Sequence, residues 1–373
     1  MRILQVYRDY FTDLPGGIER HVHDLAHGLQ PLGSVEVVVS SRLRSSGTTQ
    51  DGGVTVHRAR ELGRIQGLPI TPGFVGAMRR DFDIIHLHSP NPTAELAFKL
   101  APKKTAGILT YHADLDRGAG AALVHQRVVS TTMRSCRWVL ASSERLVELS
   151  PVLSRLRDER PSKLAIVPFG VDTDRFSPER TERAEKLRQE WGPRAAVLFV
   201  GRLRPYKGLP YLIRAMRTLD ATLVIVGDGA ERERVTQLGK ELLGARFVLA
   251  SVTGDDDLPN YYRAADIFCL PSISSAETFG ISVLEALASG LPVVTTEVGT
   301  ATSVINTDGE TGLVVPPADP RALTDAVGAL LSDGSLRSRA AQAGRQRVLE
   351  DYGRKQMLAR ITKLYEEAVQ AKS

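Results

Sequence analysis

The sequence predicts an α/β protein built of two doubly wound domains. At 373 residues the chain is long for one hydrophobic core and suits two. Short apolar runs read as strands and alternate with helical patterns, the order expected of parallel sheets covered by helices. That alternation restarts with a fresh strand at 195–200, and the junction is expected near residue 175. Apolar content of 42% and charged content of 24% are those of an ordinary soluble globular protein. The formal charge of +5 suits a phosphate-bearing ligand or an anionic membrane surface and demands neither. Cys136 and Cys269 form no disulfide or metal framework, and free buried thiols fit a reducing cytoplasm. The chain opens directly into a strand, so no signal peptide is expected, and no apolar run approaches bilayer length.

In the first half, residues 3–7 read as a strand, followed by a loop with Pro15, Gly16 and Gly17 and a helix over 19–29. Glycines between strand and helix let backbone approach a ligand closely, although a plain turn reads equally well. Strands follow at 35–40 and 54–58. The polar, Gly/Ser-rich stretch 42–53 between them reads as a mobile loop. Further strands at 83–88 and 107–114 put His86, His88 and His112 at their C-terminal ends, where open α/β sheets bind ligands. A helix over 121–136 carries Arg127, Arg134 and Arg137. These read first as a solvated face, and they also suit an anionic acceptor or lipid headgroups. Strands at 138–142 and 164–169 complete this half. Asp114-Leu-Asp116 could hold a divalent cation, but Asp172 with Asp174 and Asp255 with Asp257 repeat the same spacing. A pattern found three times in one chain selects no metal site, and none is expected.

In the second half, Arg202 and Lys207 flank the loop between the 195–200 strand and the next helix. Arg offers phosphate a planar fork of donors and Lys a point charge, so the two would clamp a pyrophosphate. Solvated loop charges are the plainer alternative. After the 222–226 strand, Gly227 and Gly229 begin a Gly-x-Gly pattern, but Arg232 stands where the third glycine of a nicotinamide-binding fingerprint would be. A strand at 247–252 brings Ser251 and Val252 to its end, and another at 267–270 runs into the stretch 271–292. That stretch reads as loop, helix and stop, with Ile281, Leu284, Leu287 and Ala288 on a buried face. Glu277 stands in the loop and Glu285 on or beside the apolar face. A carboxylate there needs a partner, which a ligand rich in hydroxyls would supply. The alternative pairs Glu285 with a buried Arg and leaves Glu277 solvated. The helix start at Phe279, Gly280 and Ile281 offers N–H groups to a phosphate. Helix follows from 320 to about 349, and a last amphipathic helix covers 355–368.

The run Glu277-Thr-Phe-Gly-Ile…Leu-Glu285-Ala…Gly-Leu-Pro-Val-Val resembles the Glu-x7-Glu element of the retaining glycosyltransferases of family 4. Gly16-Gly-Ile-Glu-Arg-His-Val, Thr110-Tyr-His-Ala-Asp, the Gly170-Val-Asp…Phe-Ser-Pro junction and Gly201-Arg-Leu…Lys-Gly are similar to other family segments. The resemblance implies a GT-B fold, with two Rossmann-like domains facing a central cleft. Residues 1–175 would form the acceptor-side domain, with the helix 353–373 crossing back to it, and 176–352 the donor domain. It implies catalytic roles for His112, Arg202, Lys207 and Glu277. Donor binding would fall to Gly16, Gly17, Gly227, Ser251, Val252, Phe279, Gly280, Ile281 and Glu285. Segment 297–305 departs from the commonest family form and looks closer to bacterial polysaccharide mannosyltransferases.

The expected function is transfer of a hexose, mannose first, from a nucleotide-diphosphate sugar such as GDP-mannose. The acceptor would be a glycan, a lipid-linked or a small molecule. The resemblance also implies retention without a metal or cofactor. A sugar-nucleotide epimerase and a non-catalytic nucleotide-sugar-binding protein are the alternatives. The expected place is the cytoplasm, with peripheral membrane contact left open, and no nucleic acid is expected as partner.

Overall fold

The computed structural model of the chain describes residues 1–13, 16–42, 45–65, 67–115, 119–251 and 255–371, with Ala119 and Asp255 as backbone only. The chain forms two compact units, Met1–Phe169 with Lys355–Ser373, and Gly170–Arg354.

The first unit carries β1 (Arg2–Val6), β2 (Ser34–Ser41), β3 (Gly47–Asp51), β4 (Val54–Arg60), a small pair β5 (Gly63–Ile65) and β6 (Leu68–Ile70), then β7 (Ile84–Ser89), β8 (Ala106–Tyr111), β9 (Trp138–Ala141) and β10 (Leu164–Ile166). The main sheet has the order β10-β9-β8-β7-β1-β2-β4-β3 and is parallel except for β3. β7 and β8 are buried along their whole length, as apolar central strands covered on both faces must be. β1 lies between β2 and β7, so the chain connections diverge there, the place where open α/β sheets take ligands. The helix Arg354–Gln370 buries Met357, Ile361, Tyr365 and Ala368, which join Ile3, Val22 and Leu25 in one core of this unit.

The stretch expected to be a mobile loop at 42–53 contains β3, paired antiparallel with β4 from Gly47–Arg58 to Asp51–Val54. Its residues are mostly exposed and polar, so no apolar alternation marks them. The available signal was the dipeptide Gly52-Gly53, a two-residue hairpin turn with φ of +51° and +89°.

The second unit is a six-stranded sheet of β11 (Ala195–Val200), β12 (Ala221–Val226), β13 (Phe247–Ala250), β14 (Ile267–Leu270), β15 (Val293–Thr296) and β16 (Gly312–Val315). All neighbours are parallel, in the order β13-β12-β11-β14-β15-β16. Its divergence point falls between β11 and β14. The helical run expected to continue to residue 349 is two helices, Pro320–Ser332 and Gly334–Asp351. Asp333 separates them, accepting from the N–H groups of Ser335 and Leu336 as an N-cap does.

Candidate functional site

The loops that leave β11 and β14 meet at the divergence point of the second sheet. Gly201 to Gly208 follow β11 and Pro271 to Gly280 follow β14, joined where the Ile273 N–H donates to the Tyr206 carbonyl at 2.8 Å. Lys207 and Glu277 face each other across this junction, and the Lys207 ammonium donates to Glu277 Oε2. Both are buried, at 7% exposure each. Burial alone would lower the Lys207 pKa, but the Glu277 charge and hydrogen bond outweigh it and hold the pKa above its ordinary value. Lys207 therefore stays an ammonium.

Glu277 is fixed from several sides. Ser272 donates to Oε2 at 3.0 Å, and Thr300 donates to the Glu277 carbonyl at 2.7 Å. Thr300 belongs to the 297–303 segment, where Glu297 accepts from the Gly299 N–H and the Ser303 hydroxyl. Sequence reasoning missed Ser272 and marked Thr300 only as part of segment 297–305, which departs from the commonest family form. Tyr206 stands beside the pair. Burial pushes its hydroxyl pKa up against the pull of the Lys207 charge, and Lys207 Nζ lies 5.5 Å from its ring centre. Arg202 is half-buried.

The helix Ile281–Ala288 starts at Gly280, which gives it no side-chain cap. Phe279 buries its ring, so only its backbone can serve a ligand. The helix is buried nearly all round, with Ile281, Ser282 and Glu285 as its half-exposed stripe. Ile281 was expected on the buried face, but it lies on the open side with Glu285. Glu285 accepts from the Tyr262 hydroxyl at 2.6 Å. Burial, then the Glu285 charge, push the Tyr262 pKa well up, so Tyr262 remains a donor.

Gly227 has φ of +148°, and a Cβ there would lie 2.0 Å from the Gly201 carbonyl oxygen, so glycine lets the β12 loop pass against the β11 loop. Arg232 ties this region together, donating to the Gly227 carbonyl at 3.2 Å and to the exposed Ser251 hydroxyl at 3.0 Å. Val252 lies outside the described residues.

In the first unit, Gln5 of β1, His86 and His88 of β7 and Thr110 of β8 form a buried polar file that ends at His112. With the Gln5 amide as it stands in the structure, its Nε2 donates to the Tyr365 hydroxyl at 2.9 Å. Tyr365 donates to His86 Nδ1 at 2.7 Å, and His86 Nε2 donates to Thr110 at 2.7 Å. Gln5 Oε1 can only accept, so the proton lies on His88 Nε2, 2.8 Å away. Burial, then the neighbouring histidines, hold the pKa values of His88 and His112 well below the ordinary range, so both rings are neutral. His88 Nδ1 is then an acceptor, and His112 Nε2 donates to it at 3.1 Å. What remains is His112 Nδ1, a buried lone pair without a protein partner. His21 packs 5.8 Å from both His88 and His112. Gly16 is the N-cap of the helix Gly17–Gly28, with extended φ and no side-chain cap. The Asp-x-Asp pairs are otherwise engaged where described: Asp114 accepts from Tyr111 and Ser150, and Asp172 from the N–H groups of Asp174 and Arg175.

Residues 182–347 match the family model of group 1 glycosyl transferases, and residues 15–175 match glycosyltransferase family 4. The chain is similar to a D-rhamnosyltransferase of Pseudomonas aeruginosa, 32% identical over 88% of this chain and 86% of that protein. It is 28% identical to the O-antigen chain mannosyltransferase C of Escherichia coli over the full length of both. Its fold is similar to the sucrose-phosphate synthase of Thermosynechococcus elongatus, with a TM-score of 0.82, 21% identity and 99% of each chain covered.

The buried pair predicts a stability pattern. Lys207→Met should destabilise the protein by about 3–5 kcal/mol, since it strands a buried carboxylate, and adding Glu277→Gln should restore most of the loss. Urea unfolding measures both, and a cost under about 1 kcal/mol for the single variant would contradict the pair. A second prediction concerns acid. Burial lowers the His21 pKa to about 4 and the His86 pKa to about 3. The unfolded chain therefore binds more protons below about pH 6.5, and stability should fall as pH drops from there toward 4. Urea midpoints across that range should show a shallower slope for His21→Phe, and an unchanged slope would contradict the assignment.

Proposed function

The chain belongs to the group 1, family 4 glycosyltransferases, and from that premise we propose that it is a retaining, metal-independent hexosyltransferase. The donor would be a nucleotide-diphosphate sugar of manno configuration, GDP-mannose first. The acceptor would be a glycan, a lipid-linked or a small molecule. The observation that supports this best is the Lys207–Glu277 pair at the β11–β14 divergence point, where open α/β sheets take their ligands.

Lys207 has three N–H donors and directs one at Glu277. The others, with Arg202 and the N–H groups at Phe279–Ile281, would neutralise the diphosphate as it leaves. That is electrostatic stabilisation of charge developing in the transition state. In the step itself, the acceptor hydroxyl oxygen bonds to the anomeric carbon as the bond to the β-phosphate oxygen breaks. That phosphate oxygen takes the acceptor proton on the same face. Glu277 would bind sugar hydroxyls and Glu285 the ribose, with Gly16, Gly17, Gly227, Ser251 and Val252 completing the donor contacts. On the first unit, His112 would offer its Nδ1 to a substrate hydroxyl. Support for a manno sugar comes from the relatives named for mannosyl and D-rhamnosyl transfer, because D-rhamnose is 6-deoxy-mannose. No helix among the described residues is long and apolar enough to cross a membrane. The exposed apolar residues Leu123 and Val124 beside Arg127 suit peripheral contact with a lipid-linked acceptor.

The test is product analysis by mass and proton NMR after incubation with a panel of nucleotide sugars and acceptors. GDP-mannose should be consumed only with an acceptor present, the product should keep the donor's anomeric configuration, and EDTA should leave turnover unchanged. Arg202→Ala should lower turnover about 100- to 1000-fold in a folded protein. An inverted product, or activity lost to EDTA and restored by Mn²⁺, would overturn the mechanism. A clear preference for UDP sugars would overturn only the base.

A further inference from the structure

We propose that His23, His27 and Asp51 of the first unit bind one divalent ion of the zinc type, which staples the β3–β4 turn to the helix Gly17–Gly28. Ligand atoms of the three side chains lie within 4.8 Å of one another. His23 and His27 stand four residues apart on one helix face, with ring centroids 4.1 Å apart. His23 Nε2 lies 3.4 Å from Asp51 Oδ2, and His27 Nε2 lies 3.8 Å from Asp51 Oδ1.

The hydrogen bonds around the cluster assign the ring protons. His27 Nδ1 is 2.9 Å from the His23 carbonyl, and His23 Nδ1 is 3.2 Å from Asp24 Oδ1. Both partners only accept, so both Nδ1 atoms carry hydrogen. In the neutral rings each Nε2 is then a bare lone pair facing other acceptors, His23 Nε2 the Asp51 carboxylate and His27 Nε2 the Asp51 carbonyl at 3.1 Å with the carboxylate farther off. Three electron-pair donors converge with no proton among them, and a cation resolves that conflict. Metal-bound histidines usually donate their other nitrogen to a carboxylate or a carbonyl, as both do here. Tyr10 donates to Asp51 Oδ2 at 2.9 Å and fixes the carboxylate as an outer partner would.

Two imidazoles and one carboxylate select a zinc-type ion over Mg²⁺ or Ca²⁺, which prefer all-oxygen sites. Ligands of a tetrahedral zinc lie roughly 3.3 Å apart, given bonds of about 2.0–2.1 Å. The 3.4 Å pair fits as it stands, and rotation of the Asp51 carboxylate and the His27 ring brings in the rest. The side chains are 20–29% exposed, which leaves the fourth position to water. The nearby cation Arg58 is already neutralised by Asp13 at 2.8 Å. Gly52 completes the site: its φ is +51°, and a Cβ there would lie 2.9 Å from His27 Nε2, against the ligating nitrogen. None of the three residues has a role in the proposed transfer, so the ion would be structural and the proposed chemistry would not pass through it.

The test uses the full chain, prepared without a histidine tag and stripped of metal. Co²⁺ titration should give one equivalent of uptake with the visible absorption of a tetrahedral site. Zn²⁺ should displace it and raise Tm. His27→Gln and Asp51→Asn should each weaken uptake at least tenfold and remove the Tm shift. His57→Gln, whose ring rests on Glu36, should leave uptake intact. Absence of stoichiometric uptake would overturn the site and leave a protonated histidine–aspartate pair in its place. Uptake unchanged in both ligand variants would overturn it as well.

Discussion

Lys207 is an ammonium with almost no access to water, and Glu277 from a different loop keeps it so. A buried lone ion of either sign costs several kcal/mol, so the loops after β11 and β14 must hold the two charges together. Much of the local structure serves that requirement. Ser272 and Thr300 fix the carboxylate and its backbone, and Glu297 fixes the segment that carries Thr300. The pair sits where chain connections leave the sheet in opposite directions, so no crossover helix fills the space above it. A charge pair held in that position is costly as a plain stabilising device and well suited to an anionic ligand.

Much of this was legible in the sequence. β11 and β14 could be read to the residue because buried parallel strands are short unbroken apolar runs. Lys207 and Glu277 were singled out separately, the one for phosphate and the other for sugar hydroxyls. Their partnership was not visible, because contact between two loops seventy residues apart leaves no periodic trace. β3 escaped for the opposite reason: its exposed polar residues carry no alternation. Ile281 misled because a helix buried on nearly every side opens along a stripe that polarity does not mark.

The histidines show the same division. His86 and His88, two apart on one strand, were bound to share a face. The partner of His86, Tyr365, 279 residues beyond it, came from a helix whose polar contacts the sequence did not announce. The two units also differ in chemistry. The first buries neutral imidazoles and ends in a lone pair suited to a hydroxyl, while the second gathers cations suited to a diphosphate.

The most direct measurement is calorimetric titration of GDP and GDP-mannose into the wild-type protein and Glu277→Gln. If Lys207 serves the diphosphate and Glu277 serves the sugar, removing the carboxylate charge should hold or tighten GDP binding. The extra affinity that mannose adds over GDP should disappear. Loss of GDP binding with the mannose increment intact would contradict this division and make Glu277 a mere counter-ion.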